Sequence, residues 1–319
     1  MLRAYDYTES AAGRNMIQTF HGFSQELKLA KSAVEQVLQL EIDGPSQCPG
    51  CGSSNLSNFF TKWDVPYLRC HDCGSVFAEA EEETLRAYQK NEKLCCFRTS
   101  EEYQKEAAEK RKLSWQEILD WIAFRSFRYL GHHHDLNILS GGDRYTYFVQ
   151  IMKNSPLCKT YKTLGNQESG NNELADIAVS LNLIQQFDSP EQHLRRLNSG
   201  LAKGGLLFLS ARLGTGFDIL VLREHAQIYP YEYVSLLSQK GLNCLFQRTG
   251  FELLDYSTPG HMDIGYVQSK RAFIPEDNLF VRDLIDNSSP IVLGEFQRFL
   301  QKSGMSSYAH IVAKKVNEG

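Results

Sequence analysis

No stretch of about 18 consecutive apolar residues, the length a helix needs to cross the hydrocarbon core of a bilayer, occurs in this chain of 319 residues. Its first 23 residues are polar and mixed in charge and lack the apolar middle of a secretory leader. A cytoplasmic protein with no membrane contact is therefore expected. Excess positive charge is missing too: Lys and Arg number 34 against 38 Asp and Glu, a formal net charge of -4. With a sequence pI of about 6.2, no overall basic field draws phosphate backbones, and no nucleic acid partner is expected. Cys95, Cys96, Cys158 and Cys244 have no His and Asp framework beside them, so they read as buried or idle thiols rather than nucleophiles. Three adjacent histidines, His132 to His134, diverge on any regular backbone and read as a solvated loop. At 42% hydrophobic and 23% charged residues, disorder is excluded.

What the chain does have is two tight cysteine pairs, Cys48-Pro-Gly-Cys51 and Cys70-His-Asp-Cys73. Two residues between the members of each pair let both sulfurs turn toward one ion. The 18 residues of 52–69 suit a hairpin joining two such knuckles. Gly52 and Gly74 follow the second cysteine of each pair, where the chain must turn back with positive φ. Four protein ligands leave no open position, which points to a structural site. Zinc is the expected ion, with a rubredoxin-like iron site or a disulfide pairing as the alternatives.

Length favours one large domain with a smaller one. Apolar residues at helical spacing over 10–41 predict an N-terminal helical segment, 1–45. The ribbon follows at 46–78, then a helical linker region at 79–130 ending in an aromatic helix over 115–129, then an α/β domain at 131–319. In that domain, strands are expected at 137–139, 159–164, 175–183, 205–211, 251–256 and 308–314. Helices are expected at 145–152, 190–201, 238–249 and 294–302. Such alternation implies crossover connections, hence a mostly parallel sheet with helices on both faces, and ligands at the carboxyl ends of its strands.

Several pieces occur in one order: Ser140-Gly141-Gly142-Asp143, Ser189-Pro190-Glu191 leading to Lys203-Gly204-Gly205, Gly214-Thr215-Gly216-Phe217-Asp218, Glu224-His225, Thr249-Gly250-Phe251, and Ser257-Thr258-Pro259-Gly260 before Asp263. Together they resemble the class I S-adenosylmethionine-dependent methyltransferases, more narrowly bacterial small-molecule or sugar methyltransferases with an N-terminal zinc ribbon. The resemblance covers residues from about Cys48 to Val316. It implies a Rossmann-like α/β fold with a seven-stranded sheet whose last strand, 308–314, is inserted antiparallel. The short segment before Ala175 leaves room for one strand fewer.

The resemblance assigns the cofactor to Gly141, Gly142, Asp143, Glu168 and Asn182, the catalytic base to His225 or Tyr233, and substrate positioning to Asp218, Glu224, His261 and Asp263. A tyrosine serves as base only with a lowered pKa. The cofactor motif is degenerate: Ser140 replaces the acidic residue before the glycine loop, the third glycine is absent, and Gln185-Gln186 stands where Glu-His is common. Two readings follow. One is a methyltransferase acting on a small molecule such as a sugar, binding S-adenosylmethionine beside a structural zinc. The other is a catalytically inactive protein of the same fold serving a protein partner or a second copy of itself.

Overall fold

The structure, a computed structural model, describes residues 21–38, 46–142, 146–165 and 173–317. Of the expected N-terminal helix, the part before residue 21 and after residue 38 lies outside these, as do Asp143 and Glu168. The described part is α1 (His21–Val37), which buries Ala30, Ala33, Val34 and Val37 at the helical spacing the sequence shows.

The ribbon supplies β1 (Leu56–Lys62), β2 (Val65–Cys70) and β3 (Val76–Ala78). Gly52 and Gly74 take φ of 80° and 82° as their turns require. Three helices follow: α2 (Glu82–Gln89), α3 (Glu92–Thr99) and α4 (Glu101–Leu130). Helix α4 begins well before the expected Trp115. Ser100 caps it by accepting from the Tyr103 N–H, and Gly131 ends it in the left-handed conformation. Its 30 residues give a rod of about 45 Å.

The α/β part runs β4 (Leu136–Ser140), α5 (Thr146–Lys153), β5 (Cys158–Thr163), β6 (Ala175–Leu181), α6 (Pro190–Gly200), β7 (Leu201–Arg212), α7 (Phe217–Leu222), β8 (Ser235–Leu236), α8 (Gln239–Arg248), β9 (Phe251–Ser257), α9 (Asp263–Ser269), α10 (Leu279–Asn287), α11 (Pro290–Lys302) and β10 (Tyr308–Lys315). The main sheet has the order β5-β4-β6-β7-β10-β9. Its first four strands are parallel, and β10 lies antiparallel between β7 and β9. This is the class I methyltransferase arrangement, with six of its seven strands among the described residues.

Both sheet faces are buried, and alternation along the strands divides the core. In β7, Leu206 and Phe208 join Trp115, Ile118, Trp121 and Ile122 of α4 and Phe148 of α5. Leu207, Leu209 and Ala211 face Leu194 and Leu197 of α6 and Leu242, Leu245 and Phe246 of α8. Strand β7 also starts earlier than expected, at Leu201, with Gly204 at φ 81°.

The ribbon shares a sheet and a core with other parts of the chain. Strand β8, from the segment between α7 and α8, pairs antiparallel with β3 and completes a four-stranded sheet in the order β1-β2-β3-β8. A shared core joins Phe60, Val65 and Tyr67 of the ribbon to Ala33 and Val34 of α1 and to Ile228, Tyr231 and Val234. Arg98 of α3 bridges Glu26 of α1 at 2.9 Å and Glu232 at 2.5 Å, so paired charges are buried within that junction.

Candidate functional site

The four ribbon cysteines converge as the spacing predicts, with sulfurs all within 4.8 Å of one another. Cys48 and Cys73 sulfurs lie 3.6 Å apart, as do those of Cys51 and Cys70. A tetrahedron with metal–sulfur bonds near 2.3 Å has edges of about 3.8 Å, so the group fits one tetrahedral ion and the four are free thiols rather than disulfides. Backbone N–H groups of Gly52 and Gly74 donate to the carbonyls of Cys48 and Cys70 at 2.8 and 2.9 Å. The Ser75 hydroxyl lies 3.2 Å from the Cys73 sulfur. Such contacts orient the ligands. His71 is exposed and outside the group.

At the carboxyl edge of the main sheet, the glycine loop is closed on itself. Ser140 is buried, and its hydroxyl donates to the Gly142 carbonyl at 3.1 Å and faces the Gly142 N–H at 3.2 Å. A side chain at Gly141 would meet protein: its Cβ would lie 3.1 Å from the His193 ring and 3.2 Å from the Ser180 hydroxyl. Asn182, at φ 55°, turns its amide toward the Tyr308 hydroxyl at 3.2 Å, while its N–H meets the Ser210 carbonyl at 2.9 Å. Among the described residues, the crevice bounded by Ser140, Gly142, Leu181, Asn182, Trp115 and Phe148 has a volume of about 40 Å³, against roughly 300 Å³ or more for a ligand pocket. Among the described residues, this crevice is smaller than S-adenosylmethionine.

The segment from Gly214 to Ser238 lies over the end of β7 and is held from the ribbon. Lys62 donates to the carbonyls of Glu224 and Ala226 at 2.6 and 2.8 Å. Tyr67 donates to the Tyr233 carbonyl at 3.1 Å. Trp63 stacks on Tyr229, centroids 5.8 Å apart. Burial, then the nearby charges of Lys270 and Arg212, pushes Lys62 down to about 8. Beneath the segment, Arg212 ends β7. It is paired with Asp218, donates to the Gln227 carbonyl at 2.8 Å, and lies against the rings of Tyr233 and Tyr266 at 5.7 and 5.8 Å.

The residues assigned to catalysis and substrate divide accordingly. His225 is partly exposed, stacked on Phe273 at 4.1 Å and 3.5 Å from Glu224, and Tyr233 packs inward on Arg212. Asp218 and Asp263 are buried. Asp218 faces Arg212 and Ser307, and burial raises its pKa. Asp263 accepts from the hydroxyls of Ser306 and Ser307 at 2.6 Å each and from Gln297 at 2.9 Å. The buried Nε2 of His261 has no hydrogen-bond partner among the described residues. Sequence reasoning missed Lys62 and Arg212. The end of a strand was the available signal for Arg212, whereas nothing local marks Lys62.

No known family profile matches the chain, and no curated protein matches its sequence. Among solved structures, it is similar to one assigned as a sarcosine dimethylglycine methyltransferase from Galdieria sulphuraria, at 10% identity over 65% of this chain and 88% of the other, with a TM-score of 0.41. It is similar to coclaurine N-methyltransferase bound to N-methylheliamine and SAH, at 10% identity over 93% of this chain and 89% of that one, TM-score 0.37. The plantazolicin methyltransferase BpumL, in complex with a pentazolic desmethylPZN analog and SAH, matches at 11% identity over 73% and 95%, TM-score 0.38. The fold assignment rests on strand order and direction, not on these overlays.

Proposed function

We propose that this chain is a methyltransferase-fold protein that binds a partner or ligand without transferring a methyl group. The observation that carries this reading is the narrowness, among the described residues, of the crevice at the sheet's carboxyl edge, about 40 Å³. Supporting it, Ser140 and Asn182, which stand at strand ends where the resemblance expects cofactor contacts, direct their side chains to Gly142 and Tyr308. The four-cysteine ribbon, holding zinc, would serve as the rigid support of the binding face. Zinc's role there is structural: four thiolates complete its coordination and leave no place for water or substrate.

A second reading, methyl transfer to a small molecule such as a sugar, is favoured by one observation. The segment over β7 encloses a cation among aromatic rings, Arg212 with Tyr233 and Tyr266, and such a group can anchor an acceptor. Calorimetry of the pure protein with S-adenosylmethionine and S-adenosylhomocysteine separates the two. No heat of binding at millimolar ligand is expected. Saturable binding of both in the micromolar range would remove the observation behind the first reading and favour the second.

A further inference from the structure

Half of the ten large apolar side chains exposed among the described residues lie on α10 and α11. Among the described residues, Leu279 and Phe280 of α10 and Ile291, Val292 and Phe299 of α11 are 73, 67, 76, 47 and 54% exposed. Helix α11 turns Leu293, Gln297 and Leu300 inward. At helical spacing, Val292 and Phe299 lie on the outer flank, and Phe296 sits between that flank and the core, against which it is partly buried. Ring contacts continue the stripe across both helices, with Phe280 to Phe296 at 6.2 Å and Phe296 to Phe299 at 5.8 Å.

The charges along these helices are mostly engaged with neighbours. Glu295 pairs with Arg298 and Asp286 with Arg271. Arg282 donates to the Ile274 and Pro275 carbonyls, and Asp283 accepts from Asn287. Such a face offers little to steer a partner of one charge sign. Its attraction is apolar area. With about 150–250 Å² for a large side chain, the five exposures amount to roughly 500–600 Å², at the upper end of what a monomer ordinarily leaves bare. A stable dimer covers about 800 Å² on each partner, of which about two thirds is apolar in homodimers. The patch supplies that apolar share, with Lys302, Glu295 and Arg298 for the rim.

We propose that this face is the contact surface of a homodimer, with α11 of one protomer laid against α11 of its partner about a two-fold axis. An apolar stripe is complementary to itself under that symmetry, and the internally paired charges Glu295 and Arg298 add no like-charge repulsion across it.

The test is sedimentation equilibrium of the metal-loaded chain from about 1 to 100 µM, a range that brackets micromolar association. A dimer of two 36.4 kDa chains is expected. Phe299→Glu and, separately, the highly exposed Ile291→Glu should each weaken association by roughly tenfold to a hundredfold. Leu113→Glu, at an exposed apolar position on α4, should leave it unchanged. Circular dichroism verifies that each variant is folded, and Ile291→Glu serves should Phe299→Glu fail to fold. A wild-type monomer throughout that range, or a dimer equally tight in the folded variants, overturns the proposal.

Discussion

The Ser180 hydroxyl and His193 Nε2 lie 2.9 Å apart, fully inside the protein, at the spot toward which a side chain on Gly141 would project. The glycine is therefore required by a protein contact between β6 and α6, whatever binds outside. Gly141→Val should destabilise the ligand-free chain by about 1–3 kcal/mol, the usual cost of overpacking, as read from urea unfolding. Unchanged ligand-free stability would count against this contact.

Burial lowers His193 to about 4, with Arg196 adding to the effect, and lowers His310 to about 3, with Arg125 adding. Unfolding returns each imidazole to about 6.5. Below that pH the unfolded chain binds protons that the folded chain refuses. Stability is thus full above about pH 6.5, falls as the pH drops, and stops falling from this source only when the folded imidazoles protonate. For His193 the total loss approaches roughly 3 kcal/mol. Urea midpoints measured from pH 7 to pH 4 should show the decline, and His193→Gln should make it shallower. Parallel profiles for the two proteins would contradict it.

Replacing Cys70 by Ser should remove the metal, with about one ion per chain before the change and none after, as elemental analysis reads directly. Because β8 belongs to the ribbon's sheet, limited proteolysis should then cut between Gly214 and Ser238. Cuts confined to residues 46–78 would show that the two regions are independent.

Asp218→Ala should cost about 3–5 kcal/mol of stability, because it leaves the Arg212 guanidinium buried without its counter-charge. Chemical denaturation measures this. A fully stable variant would return Asp218 to the list of ligand contacts.

Much of this architecture could be read from short-range signals. Cysteine spacing located the ribbon, and the apolar runs at Ile177 to Val179 and Leu206 to Leu209 located central strands, because both signals depend on a few consecutive residues. The functional positions were less legible. The resemblance gives Asp218 and Asp263 a substrate role, and the fold adds that Arg212, Ser306, Ser307 and Gln297 surround them. The Ser180 and His193 pair is likewise set by packing α6 on β6. The early start of α4 is not marked in the sequence because the charged stretch before Trp115 carries no strong apolar stripe.

Strand β10 lies inside the main sheet, although it is the last strand in chain order, and β9 reaches the other strands only through it. Without residues 308–315, β7 and β9 would each lose the partner on the edge that faces the other. Closure of this sheet therefore depends on contacts of long sequence separation, between 201–212 and 308–315, the kind that slow folding and leave edges able to pair with other chains while unfilled.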